Sequence, residues 1–148
     1  MSRHIQGYAF QWGKVSCDLG GFTEVIQKGA LDGVLEKSDV FGLLDHLQVK
    51  GILSRSTNLK GTLKLTVDNK GLKYSFDAPN STLGDEVIES LKRGDLRSSS
   101  FSFQVSDGQI WEEKPDGTFL RTVTKFDGFY DVSCVYRPAY ADSSCELI

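Results

Sequence analysis

Two alternating segments joined by a short turn constrain this chain more than any other feature. Thr62-Leu63-Lys64-Leu65-Thr66-Val67 puts Leu63, Leu65 and Val67 on one face, and Leu72-Lys73-Tyr74-Ser75-Phe76 alternates in the same way. Period-two alternation marks a half-buried strand. Asp68-Asn69-Lys70-Gly71 supplies the turn between them, so a β-hairpin is predicted. A lone hairpin is marginal in water and must join other strands.

The rest of the chain provides candidates. Ile5–Trp12, Phe22–Ile26, Val40–Leu44, Gly51–Ser56, Ser99–Val105, Gly108–Glu113, Phe119–Phe126 and Tyr130–Tyr136 read as short strands between Gly- and Asp-rich breaks. Ala30, Leu31, Val34 and Leu35 have helical spacing, weakened by Gly33. A clearer helix is predicted over 83–93. Its apolar stripe is Leu83, Val87, Ile88 and Leu91, with Thr82 as cap, Asp85 as capping-box partner, and Gly94 just beyond the end. The expected class is mainly β (α+β): seven or eight largely antiparallel strands with two short helices. Closure into a β-barrel would satisfy so many short edges.

Length and charge narrow the function. The 148 residues suit one domain spanning 1–148, with a polar tail, 141–148, expected to be loose. Net charge is −3 and no basic run interrupts it, which argues against nucleic acid as a partner. The longest apolar run, Val40-Phe41-Gly42-Leu43-Leu44, is far too short to cross a membrane, and residues 1–7 lack the apolar stretch of a secretory signal. Three cysteines without a CxxC pair fit a reducing cytosol and argue against a disulfide framework or a structural zinc. Asp127, Asp131 and Asp142 lack metal-loop spacing, and no Gly-rich phosphate loop is present, so neither metal nor cofactor is expected.

Histidine is the scarcest reactive residue. With His4 near the chain start, imidazole chemistry falls to His46, which follows the apolar run in Asp45-His46. A serine nucleophile needs a base of near-neutral pKa, which imidazole supplies. Ser100 lies on an alternating strand, on the face opposite Phe101 and Phe103. Asp131 alternates with Tyr130 and Val132, and an acid there could hold the second ring nitrogen of a histidine. Each also has an ordinary reading: a polar strand edge for Ser100, a surface imidazole for His46, an exposed acid for Asp131. Cys134 reads as a buried, inert thiol.

Together the motifs resemble the prohead (capsid-maturation) proteases of tailed bacteriophages. Ile5-Gln6-Gly7-Tyr8-Ala9 resembles the family's opening IxGYA, and Glu24-Val25-Ile26-Gln27-Lys28-Gly29-Ala30-Leu31 its E-x-I-x-x-G-A-F element. Asp45-His46 corresponds to its DH motif. Gly61-Thr62-Leu63 with Asp68-Asn69-Lys70-Gly71-Leu72 resembles its GTL…DxxGL hairpin. Arg93-Gly94-Asp95-Leu96 followed by Ser100-Phe101-Ser102-Phe103 is similar to RGDL…SFGF, with Ser102 for the usual Gly. Asp131-Val132-Ser133-Cys134-Val135 and Pro138-Ala139-Tyr140 resemble the (E/D)VSxV…PAY ending.

The resemblance implies a herpesvirus-protease-like β-barrel flanked by helices. It implies a serine endopeptidase that cleaves scaffold and capsid-protein extensions, and itself, inside the immature prohead in the host cytoplasm. By this resemblance Ser100 is the nucleophile, His46 the base, Asp131 the third member, and Arg137 a possible oxyanion support. Major capsid and scaffold proteins would be substrates, and a homodimer or larger assembly is implied. The alternative is a catalytically impaired module of the same fold that binds capsid or scaffold protein.

Overall fold

The computed structural model describes residues 2–148. In chain order the strands are β1 (His4–Gln11), β2 (Phe22–Ile26), β3 (Asp39–Leu44), β4 (Ser54–Thr57), β5 (Lys60–Gly61) and β6 (Lys64–Val67), followed by β7 (Gly71–Asp77). Helix α1 (Thr82–Arg93) then precedes β8 (Ser98–Gln104), β9 (Gln109–Glu113), β10 (Phe119–Val123), β11 (Gly128–Val135) and β12 (Glu146–Leu147). They form three open sheets ordered β12-β1-β7-β6, β2-β10-β9 and β5-β4-β3-β11-β8. Most pairs are antiparallel, but β10 runs parallel to β2 and β11 parallel to β3.

The mainly β class is as expected, and closure into a barrel is not. Edges are instead shortened or covered, as in the two-residue strands β5 and β12 that end two of the sheets. The hairpin forms as β6–β7, pairing Leu65 with Tyr74 and Val67 with Leu72. Among the described residues there is one α-helix. The stretch 30–37 makes turns and only a short 3₁₀ segment, Leu35–Lys37. Gly29 and Gly33 there have φ of 97° and 72°, which breaks the helical path while Ala30, Leu31, Val34 and Leu35 still bury.

Helix α1 starts one residue earlier than its sequence suggests. Ser81, not Thr82, is the N-cap, its hydroxyl accepting from the Gly84 N–H at 3.1 Å. Gly94 closes the helix at φ 78°, a left-handed cap that glycine takes without strain.

The core lies between the sheets and is aromatic at its centre. Phe101 on β8 packs on Phe10, Phe103, Phe126, Phe129 and Tyr140, with ring centroids 4.6–6.3 Å apart. Buried Glu24 on β2 is satisfied by the Tyr140 hydroxyl at 2.7 Å and Arg121 at 3.3 Å, which ties the Pro-Ala-Tyr stretch to the β2-β10-β9 sheet.

The C-terminal tail packs, contrary to the loose end expected. Leu147 and Glu146 pair with Ile5 and Gln6, and Ser143 and Cys145 are buried. Cys145 is joined to Cys134 of β11 in a disulfide, and Cys17 is the free cysteine. The odd count of cysteines does not exclude a bridge, because residues eleven apart in sequence meet where the tail crosses the start of β8.

Truncating the hub of the aromatic cluster leaves a cavity its neighbours cannot collapse into. Phe101→Ala is expected to lower unfolding free energy by about 3–5 kcal/mol. Urea denaturation reads this directly, and a loss under about 1 kcal/mol would remove Phe101 from the centre of the core.

Candidate active site

Strand β3 leaves the sheet at Leu44 and turns through Asp45 and His46. Leu44 and Leu47 form a bridge, and the Leu47 N–H reaches the Leu44 carbonyl at 3.0 Å. Both central residues have positive φ, 55° for Asp45 and 60° for His46. Tight hairpin turns of this kind favour Asn-Gly, and Asp and His are among the few other residues that tolerate the region. Two non-glycine residues held there cost about 1–3 kcal/mol each and persist only where surrounding contacts enforce them. Here β11 does so: the Asp45 N–H donates to the Cys134 carbonyl at 2.8 Å, and the His46 N–H to the Ser133 hydroxyl at 3.1 Å.

Strand β11 carries the acid, and a β-bulge aims it. Phe129 opposes Phe103 and Asp131 opposes Ser102, so Tyr130 is an extra residue outside the ladder register, its hydroxyl donating to the Gln104 side chain at 2.7 Å. In unbroken alternation Phe129 and Asp131 would share a face. The bulge divides them. Phe129 stacks on Phe101 in the core, while Asp131 and Ser133 lie on the other face beside Ser102 and Ser100 of β8.

On that face Asp131 is an acceptor for three groups. Its Oδ1 takes the His46 Nδ1–H at 2.8 Å and the Ser133 hydroxyl at 2.8 Å, and its Oδ2 takes the Ser102 hydroxyl. Asp131 is buried, its side chain 10% exposed, whereas the His46 ring is 39% exposed. Burial pushes the Asp131 carboxyl up, but hydrogen bonds from His46, Ser102 and Ser133 together outweigh it and hold the pKa below the ordinary carboxylate value. His46 is raised, first by its hydrogen bond to Asp131, against desolvation that works the other way. With Nδ1–H committed to the carboxylate, Nε2 is the ring atom left to accept a proton.

Ser100 is directly opposite Ser133 across the β8–β11 ladder, on the Asp131 face. It is half-buried, and its hydroxyl makes no hydrogen bond within the described residues. Paired residues in an antiparallel ladder have Cα atoms about 4.5–5.5 Å apart, so Ser100 is one strand spacing from the residue that clamps His46. Arg137 lies two residues past the Ser98–Val135 pair that ends the ladder. It is exposed, and among the described residues no hydrogen bond or ion pair joins it to His46, Ser100 or Asp131. Cys134 is buried in the core as expected, but it is bridged to Cys145 and is not the free thiol that the sequence suggests.

A serine, an imidazole and a buried acid on one open sheet face are the components of nucleophilic acyl transfer. The profile of the family described as caudovirus prohead serine protease matches residues 1–148, the whole chain. The chain belongs to this family. No curated protein matches it by sequence. Membership supports a protease of phage capsid maturation.

Two members of the hydrogen-bonded group escaped the residue-by-residue reading. Ser133 sits inside the DVS motif and Ser102 replaces the family's usual glycine, and each hydroxyl donates to Asp131. The signal for both was spacing by two: Ser102 follows Ser100 by two residues on β8, and Ser133 follows Asp131 by two on β11. No alternation pattern reveals that the strands are neighbours, or that a bulge intervenes.

The coupling has a defined pH dependence. Raised His46 stabilises the fold fully below its ordinary 6.5 and loses this as pH rises through the folded-state value. Lowered Asp131 contributes above its ordinary 3.8 and is lost as pH falls through its folded value. The pair therefore stabilises most between about pH 4 and 6.5. NMR titration should give a His46 midpoint above 6.5 that drops in Asp131→Asn, whose stability deficit is larger at pH 5.5 than at pH 8. An unchanged midpoint would break the link between the two groups.

Proposed function

We propose that the chain is a serine endopeptidase of phage prohead maturation, with Ser100 as nucleophile, His46 as general base and Asp131 as the acid that orients it. The observation that carries this reading is the His46–Asp131 hydrogen bond, 2.8 Å long, on the same sheet face as Ser100.

Ser100 Oγ attacks the scissile carbonyl carbon while His46 Nε2 takes the hydroxyl proton. The carbonyl π electrons move onto oxygen, giving a tetrahedral oxyanion. Asp131 stays ionised and stabilises the imidazolium. The imidazolium then returns its proton to the leaving amine, the C–N bond breaks, and an ester to Ser100 remains. Water attacks that ester with His46 again accepting a proton, and the acid product leaves with Ser100 restored. Donors aimed at the oxyanion contribute heavily to such reactions. Arg137 and backbone N–H groups near Ser100 are the candidates.

Nucleophile–base contacts in substrate-free enzymes are often long and tighten only when substrate binds. That accommodates the unbonded Ser100 hydroxyl. The same feature favours the second reading, an impaired module that binds scaffold or capsid protein without cutting it. The substrates in the first reading are extensions of the major capsid and scaffold proteins and the chain itself, met inside the immature prohead in the host cell, with self-association of the enzyme in that confined space.

Mixing the chain with its cognate capsid precursor and following products by mass spectrometry separates the two. Ser100→Ala should lose cleavage by about 10⁴-fold or more while remaining folded and binding the precursor. Wild-type binding without any cleavage would support the module instead. The rate should drop as pH is lowered, with the midpoint of that acid limb lying above pH 6.5, because His46 must be neutral to act as base. Ser133→Ala, which frees the His46 turn, should lower kcat more than it raises KM, with partial rescue by Ser133→Thr.

A further inference from the structure

Beside the His46 turn lies a cavity of about 120 Å³, lined by Leu44, Asp45, Leu47, Lys50, Leu83 and Tyr136. Its walls come from three places: the turn after β3, the first turn of α1, and the residue that follows β11. The residues on either side of His46, Asp45 and Leu47, both line it. Large apolar side chains are left open to solvent around it. Leu47 is 49%, Tyr136 50% and Val49, two residues beyond Leu47, 88% exposed. A folded chain gains by covering such groups, and their clustering around a concave site marks a contact surface.

A larger cavity of about 520 Å³ lies at the other end of β3 and β11, by Asp39 and Gly128. It holds charges of both signs, and Asp39 and Asp127 there are already engaged by Arg55 and Ser106. It lies at the opposite end of the two parallel strands from His46.

We infer that the smaller cavity is a substrate subsite, which seats an aliphatic side chain of the polypeptide close to the bond cut at Ser100. This rests on the peptidase reading and names the substrate chemistry that reading leaves open. An extended polypeptide advances about 3.3 Å per residue. With its scissile carbonyl at Ser100, the residues next in line pass the His46 turn. Leu44, Leu47, Leu83 and Tyr136 offer aliphatic and aromatic carbon, while Asp45 and Lys50 bring opposite charges to the same lining, so the apolar walls are the part that seats an aliphatic side chain. The cavity volume, about 120 Å³, accommodates a branched aliphatic group. A pocket of this kind discriminates by about 10–200-fold per methylene gained or lost, so sites carrying Leu, Ile or Val there are cut at least 10-fold faster than the same sites carrying Ala.

The test uses the full chain with methyl-labelled leucine, titrated by NMR with N-acetyl-leucine N-methylamide and, separately, N-acetyl-aspartate N-methylamide. The leucine amide should shift the methyls of Leu44, Leu47 and Leu83, and the aspartate amide should not. Leu47→Asp, at a half-exposed position, should abolish the shifts while the remaining methyl spectrum stays that of the folded chain. No shifts, equal shifts with both amides, or shifts that survive Leu47→Asp overturn the inference. Binding of the amide needs no hydrolysis. Cleavage of the capsid precursor by the same preparation therefore scores the peptidase reading separately: a silent cavity in a cleaving enzyme refutes only the subsite, and a responsive cavity in a non-cleaving chain refutes only the peptidase.

Discussion

The Asp131 carboxylate organises this end of the molecule. An ionised group buried this deeply is tolerable only when its oxygens are hydrogen-bonded and a countercharge is at hand. His46, Ser102 and Ser133 supply those bonds. In doing so they join three strands: β3 through the turn that carries His46, β8 through Ser102, and β11 itself. The strained backbone at Asp45 and His46 persists because β11 grips it twice, through the Cys134 carbonyl and the Ser133 hydroxyl. The proposed chemistry and the local fold thus share one buried charge.

Ser133 connects the two. It accepts from the His46 backbone, donates to Asp131, and faces Ser100 across the ladder. A single hydroxyl thereby sets where the turn sits and how the carboxylate points, and borders the proposed nucleophile. The next residue along, Cys134, is bonded to Cys145, so the same strand also anchors the C-terminal segment that pairs with β1.

Much of this was legible in the sequence, and the reasons differ by element. The β6–β7 hairpin and helix α1 are local: alternation, turn residues and caps lie within a few positions of one another, so the pattern alone finds them. The stretch 30–37 misleads because apolar spacing suits a helix while Gly29 and Gly33 take positive φ. Sheet closure and the packing of the tail depend on which edges meet, and strand lengths do not encode that. At the site, the scarcity of histidine isolated His46, and motif order pointed to Ser100 and Asp131. The roles of Ser102 and Ser133 depend on cross-strand register and on the extra residue at Tyr130, which exist only once β8 and β11 are paired. The Cys134–Cys145 bridge is equally non-local, since it needs the tail folded back over Arg97.

The central claim is that the hydroxyl of Ser100, and not that of its neighbour Ser102, is the one activated by His46. Ser102 spends its proton on Asp131, whereas among the described residues the Ser100 hydroxyl makes no hydrogen bond. Reaction with a fluorophosphonate, followed by peptide mapping of the adduct, decides this most directly. A single adduct on Ser100, formed faster as pH rises through the His46 titration and absent in His46→Ala, is the predicted result. An adduct on Ser102, or labelling that ignores the loss of His46, would contradict it.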